Sequence, residues 1–244
     1  MTSVTSHLEV LTRYQDEFLD TIGRADPATP VPWCGRWRVS NLVVHLARVH
    51  HWAAAQARRQ HETPLGRGPF DLRQLYGDCA EELRTTLTEL DPEARAWTLI
   101  DDGVPRAEHR GTVAFWHRRQ TLETLVHLWD LRTAIGEDVE AAPAPGPGSW
   151  VDCVDEVATV MHPRQIRLGR FEAPAVRLRL EVSDAVGSWE LEAAPGATGT
   201  ATITAAAREL ALLVWGRAAL DEPRVSVTGD REGAARVLAH GLTP

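Results

Sequence analysis

Between positions 141 and 148 the chain reads Ala-Ala-Pro-Ala-Pro-Gly-Pro-Gly. Proline removes backbone donors and glycine loosens the backbone, so neither a helix nor a central strand can run through such a stretch. The segment reads as a linker, and it divides the chain into residues 1–140 and 149–244. The hydrophobic period differs on its two sides.

Before the linker the period is helical. Apolar positions Leu8, Val10, Leu11, Phe18, Leu19 and Ile22 predict a first helix over Ser6 to Ile22, broken by Asp26-Pro-Ala-Thr-Pro30. Leu42, Val43, Leu46, Val49 and Trp52 predict a second over Val39 to Gln60. The stripe Leu72, Leu75, Cys79, Leu83, Leu87 predicts a third over Asp71 to Leu90, ended by Asp91-Pro92. A fourth is expected over Thr112 to Ile135, stopped at Gly136. Four helices with mostly short connections predict a four-helix bundle. After the linker, Trp150 to Met161 reads as helix. Ala175–Val182, Ser188–Ala193, Thr200–Thr204 and Val225–Val227 read as strands, with helices over Ala206–Gly216 and Asp230–His240. The expected class is α+β: a bundle followed by a smaller α+β domain with an antiparallel sheet.

Composition narrows the function. A net charge of −8 does not favour nucleic acid or an anionic membrane, and no apolar run reaches the length of a membrane span. Met1 to Val10 lack a basic stretch followed by an apolar core, so no secretory leader is expected. Cys34, Cys79 and Cys153 form no CxxC pair, and a reduced cytoplasm is the expected location. All 26 basic residues are arginine, which excludes chemistry through a lysine Schiff base. GxGxxG, P-loop, GxSxG and HExxH motifs are absent.

One constellation points to chemistry. Glu123 and His127 stand four residues apart on the fourth helix, which stacks a carboxylate and an imidazole on one face. A third ligand must come from a neighbouring helix. His45, set in Asn41-Leu-Val-Val-His-Leu46, points into or beside the core. A His/His/Glu set leaves the open fourth position usual for catalytic zinc. Arg119 and Asp130 share the ligand face, one placed to hold the carboxylate, the other to receive a histidine N–H. Spacing alone also admits a surface Glu–His pair, a satisfied core histidine and ordinary helix partners. His50 and His51 point away from His45 and are expected at the rim, and His109 and His117 lie off the Glu123/His127 face. Cys34, ahead of a helix start, reads as a reactive or an incidental thiol. Trp33, Trp37 and Trp52 cluster near the second helix as candidate pocket walls, and Asp101-Asp102 reads as a loop turn.

The stretches Val31-Pro-Trp-Cys-Gly-Arg-Trp-Arg-Val-Ser-Asn-Leu-Val-Val-His-Leu46 and Arg118-Arg-Gln-Thr-Leu-Glu-Thr-Leu-Val-His-Leu-Trp-Asp130 resemble the mycothiol-dependent maleylpyruvate isomerase family of DinB-like metal-binding bundles. Glu209-Leu-Ala-Leu-Leu-Val-Trp-Gly-Arg217 with Val227-Thr-Gly-Asp230 is similar to that family's sterol-carrier-like second domain. The resemblance implies His45, Glu123 and His127 as metal ligands, with zinc as the ion and mycothiol as the thiol cofactor. It also implies Arg217 as a catalytic residue facing the active site, against a helix-end arginine that caps carbonyls. Arg38 stands where the family often has a Thr or Ser helix cap, so the cap is lost or shifts to Ser40.

The implied activity is thiolate addition to a small-molecule electrophile, as in cis–trans isomerisation of a maleylpyruvate-like diacid, with the pocket between the two domains. A mycothiol S-transferase and a non-catalytic ligand-binding protein remain as alternatives. No nucleic-acid or membrane partner is expected, and the protein is expected to be a monomer or homodimer.

Overall fold

The computed structural model describes residues 6–137, 139, 147–239 and 241–243. The chain divides into two compact units. The first comprises Met1–Asp101 with Arg106–Ala144, the second Asp102–Pro105 with Pro145–Pro244. Most of the proline- and glycine-rich linker, and His240 of the last expected helix, fall outside the described residues.

Four helices build the first unit: α1 (His7–Ile22), α2 (Val39–Ala57), α3 (Leu72–Glu89) and α4 (Val113–Ala134). Helix α1 packs on α4 and α2 on α3, with α2–α4 and α1–α3 contacts closing the bundle. The core is filled by Leu11 and Phe18, Leu42 and Leu46, Tyr76, Leu83 and Leu87, and Trp116, Leu122 and Leu131. Each fully buried leucine of this kind contributes about 1.5–3 kcal/mol by leaving water. Local chemistry fixes the helix ends. Ser6 and Glu9 form a reciprocal capping box at α1, and Asp71 accepts the Gln74 N–H at α3. At the end of α4, Gly136 takes φ +72°, which lets Gly136 N–H reach Thr133 and Glu137 N–H reach Arg132.

Helix α2 begins without a side-chain cap. Val39 is its first residue, so the cap does not shift to Ser40. Loop carbonyls take the cap's place: Val39 N–H donates to Thr29 and Ser40 N–H to Pro27. The Asn41 side chain accepts the Arg38 N–H at 2.9 Å, which ties the Arg38 junction to the first turn.

The second unit opens with α5 (Pro147–Glu156), which passes through a π turn, Val157–Met161, into α6 (His162–Arg167). Strands β1 (Val176–Val182), β2 (Ser188–Glu190), β3 (Gly199–Ala205) and β4 (Ser226–Gly229) form one sheet in the order β2-β1-β3-β4. Helices α7 (Ala207–Val214) and α8 (Arg231–Ala239) complete the unit, and α8 packs on β1 and β3. The alternation is real: Val176, Leu178 and Leu180 are buried while Arg177 and Arg179 are exposed. The sheet is mixed rather than wholly antiparallel. The β1–β2 and β3–β4 pairs are antiparallel, but β1 and β3 run parallel from Val176↔Gly199 to Val182↔Ala205. A hairpin returns the chain to the start of β1, so a strand that begins there and adds to the opposite edge must run parallel to it. A period of two carries no information on strand direction.

His50 departs from its expected place at the rim. It is fully buried, and its Nδ1 lies 2.9 Å from Gln120 Oε1. The reason is the orientation of α2: Leu42, Leu46 and Ala53 face the core, and His50 falls on that stripe while His45 sits at its edge. Burial, outweighing the Gln120 bond and the nearby Glu123 charge, lowers the His50 pKa to about 4.

The unfolded chain takes up this proton near the ordinary histidine value, and the folded chain resists it down to about pH 4. The His50 contribution is therefore complete above pH 6.5 and is lost as pH falls toward 4, at a cost of up to about 3 kcal/mol. Urea midpoints from pH 7.5 to 4.5 should fall more steeply for the native chain than for His50→Gln. Parallel slopes would contradict this account.

Candidate metal centre

Helix α4 positions the site. Every residue from Arg119 to Leu128 is buried, so its polar side chains need partners inside the protein. They have them. Arg119 Nη2 donates to Glu123 Oε2 in a close ion pair one turn along the helix. Gln120 meets His50, and Thr124 Oγ1 donates to the Gln120 carbonyl at 2.6 Å. His127 Nδ1 lies 2.9 Å from Oδ2 of Asp130, whose side chain is fully buried.

These pairings leave three atoms pointing at a common volume. Glu123 Oε1 is 3.4 Å from His45 Nε2 and 3.3 Å from His127 Nε2. Ligand atoms of the three residues lie within 4.8 Å of one another, the one such His/Cys/Asp/Glu group among the described residues. Ligands about 2.0–2.2 Å from a tetrahedral zinc sit roughly 3.3–3.5 Å apart, so two of the three edges already have the required length. The donor set of two imidazoles and one carboxylate oxygen suits a divalent ion of the zinc type.

The supporting residues divide the work. Arg119 engages Oε2, so Glu123 presents only Oε1. Asp130 engages Nδ1, so His127 presents Nε2. Burial opposes charge on Glu123, but the Arg119 guanidinium and His127 hold its carboxyl well below the usual range. Burial opposes charge on His127 as well; the Glu123 carboxylate and the Asp130 bond outweigh it and raise the imidazole pKa to about 9. A divalent ion would take the place of that proton at Nε2. His45 differs from the other two candidate ligands: its side chain is 35% exposed, and its ring packs 4.9 Å from Trp37 and edge-on to His127 at 5.0 Å.

His45, Glu123, His127, Arg119 and Asp130 thus come together. Cys34 joins them at a distance, with Sγ 3.7 Å from Asp130 Oδ2, a contact between residues far apart in sequence that spacing does not announce. The Trp37 ring against His45 was legible only as one of a cluster of tryptophans. His51 takes the rim position, with Nδ1 2.6 Å from Glu82 and Nε2 2.7 Å from the Thr63 carbonyl. Asp101 and Asp102 form no dyad. Asp101 accepts from Thr98, Arg110 and Gly111 in the first unit, and Asp102 pairs with Arg164 in the second. Arg217 lies in the second unit just past α7. Its N–H closes the helix end on Leu212 while Gly216, at φ +73°, bonds Leu213, and its Nη1 donates to the Trp215 carbonyl at 2.6 Å. That is the geometry of a C-terminal cap.

Residues 8–132, more than half of the chain, match the profile of the mycothiol maleylpyruvate isomerase N-terminal domain. The chain belongs to the mycothiol-dependent maleylpyruvate isomerase family. Its fold is similar to that in two solved structures. One is a mycothiol-dependent maleylpyruvate isomerase, with TM-score 0.61 and 14% identity over 91% of both chains. The other is a single-residue mutant of a mycothiol-dependent maleylpyruvate isomerase, with TM-score 0.61, 12% identity and the same coverage. No curated protein matches the sequence. Among the described residues, no helix is long and apolar enough to cross a membrane.

The Asp130 contact yields a direct expectation. Asp130→Asn keeps the shape but weakens the acceptor that orients His127, and zinc affinity should fall about 10–100-fold. Competition with a chromophoric chelator measures this. An unchanged affinity, with fold retained by circular dichroism, would remove Asp130 from the site.

Proposed function

We propose that this protein is a metal- and mycothiol-dependent enzyme that acts on an electrophilic small molecule, with zinc as the metal. The convergence of His45 Nε2, His127 Nε2 and Glu123 Oε1 on one volume carries this reading. When bound, the ion supplies Lewis acidity that keeps a thiol ionised near neutral pH, and the thiol supplies reversible addition to an activated double bond.

The chain's own residues set the conditions. Arg119 fixes the Glu123 carboxylate by one oxygen, and Asp130 fixes the His127 ring by one nitrogen, so the donors are in place beforehand. Burial of Glu123, His127 and Asp130 excludes water from one side of the centre and strengthens each charge interaction there. His45, the partly exposed ligand, is the side from which small molecules gain access. Cis–trans isomerisation of a maleylpyruvate-like diacid is the reaction we assign first, because family membership supports it. Arg217, whose Nη1 already donates to the Trp215 carbonyl, is retained as the second unit's candidate for a substrate carboxylate through its charge. A second reading, S-transfer of the thiol to a larger electrophile, draws on the large cleft that opens beside His45, of about 1010 Å³.

Metal content decides first. Tag-free wild-type protein should carry about one zinc per chain by elemental analysis, and His127→Ala should lose it. No metal after zinc is offered would overturn the proposal. A thiol balance with mycothiol then separates the reactions, since an isomerase returns the thiol and a transferase consumes it in proportion to product. Arg217→Ala should raise KM for the acid while zinc content stays unchanged.

A further inference from the structure

The outer face of α2 is not bare. A cleft of about 1010 Å³ runs along it, walled on the far side by the segment leading into α3. Asn41, Val44, His45, Arg48, Val49 and Trp52 line it from α2, at the three- and four-residue spacing of a single helix face. Phe70 and Arg67 face them from the opposite wall. The cleft therefore has an apolar floor, two aromatic walls and, at one edge, a candidate metal ligand. Its size is that of a site for a drug-sized molecule rather than for water.

The charges in the cleft are unequally engaged. Arg73 is held by the Leu19 carbonyl at 3.0 Å and lies 3.9 Å from Asp20. Asp71 caps α3 through Gln74. Arg48 donates one N–H, from Nη2, to the Gly66 carbonyl at 2.9 Å, which leaves the rest of its guanidinium to solvent. Arg67 makes no hydrogen bond or ion pair among the described residues, and Glu62, which also lines the cleft, pairs with neither arginine. Two guanidiniums with free donors thus stand over an apolar cleft. The wall that carries Arg67 is tied to α2, since Arg48 holds Gly66 and His51 Nε2 lies 2.7 Å from the Thr63 carbonyl. The arrangement exists before any ligand arrives.

We propose that this cleft binds the electrophilic co-substrate, that this molecule has an apolar or aromatic body bearing a carboxylate, and that Arg48 and Arg67 select it by pairing with that carboxylate. The inference rests on the second reading of the proposed function, transfer of the thiol to a larger electrophile, for the word co-substrate, but the binding itself does not require metal. Arginine suits the task because its planar fork matches a carboxylate in geometry as well as charge. Trp52, Val49 and Phe70 receive the apolar body. The bound molecule lies along α2 toward His45, within reach of a thiol activated at the metal centre.

The test uses 1-naphthoate and its uncharged counterpart 1-naphthalenemethanol as probes, titrated against full-length protein by tryptophan fluorescence or calorimetry. Arg67→Glu, which breaks no contact in the structure, and Arg48→Ala/Arg67→Ala should each weaken naphthoate binding at least tenfold. Binding of the alcohol should change less than twofold. His127→Ala should bind naphthoate as the wild type does, because the carboxylate partners are not the metal ligands. Equal naphthoate affinity in the arginine variants would overturn the proposal. So would loss of naphthoate binding in His127→Ala, which would place the anion at the metal centre. Zinc content measured on the same arginine variants should equal that of the wild type, so failure of the cleft and failure of the metal reading give different results.

Discussion

The first unit is organised around one buried carboxylate. Glu123 sits on the most enclosed helix of the bundle, where an isolated charge would cost several kcal/mol. Arg119 offsets that cost on one oxygen, and two imidazoles face the other. Remove either side and the carboxylate must protonate or the helices must part. The position of α2 relative to α4 is tied to this same point, because His45 reaches Glu123 from α2. The atoms that tie the two helices together are therefore those of the candidate metal centre.

Helix α4 shows how a bundle core accommodates so much polarity. Its buried polar side chains are arranged in pairs: Arg119 with Glu123, His127 with Asp130, Gln120 with His50 of α2. Paired in this way, they restrict the bundle to one register, since a slide by one turn would break the His50–Gln120 and His45–Glu123 contacts together. Unlike a stripe of leucines, which tolerates sliding, such contacts have defined distances.

Much of this was legible in the chain. Helix limits were marked by Ser6, Asp71 and Gly136, residues whose local chemistry acts before any tertiary contact forms. The Glu123/His127 spacing placed two donors on one face, and their partners Arg119 and Asp130 followed from the same helical repeat. What escaped were features set by the rotation of one element against another. His50 was assigned to the rim because the phase of α2 cannot be known from α2 alone. Cys34 meets Asp130 across 96 positions of sequence, a contact with no local signature. The parallel β1–β3 pair was missed for a related reason: alternation reports burial and not direction. The cleft along α2 likewise depends on how the segment around Phe70 folds back, and no single stretch of sequence carries that information.

The charges at the centre also bear on the order in which such a protein is assembled. Arg119 stands against Glu123, and a protonated His127 stands against Asp130. With no ion present the cluster is close to neutral, so the bundle has no electrostatic reason to wait for metal before it closes. This contrasts with small zinc modules, whose thiolate ligands repel one another until the ion arrives and which fold only with it. If the centre takes zinc as proposed, nothing in its charges requires the ion to arrive before the chain has reached its final shape. The proton that Glu123 and Asp130 favour on His127 would have to leave before an ion could bind there.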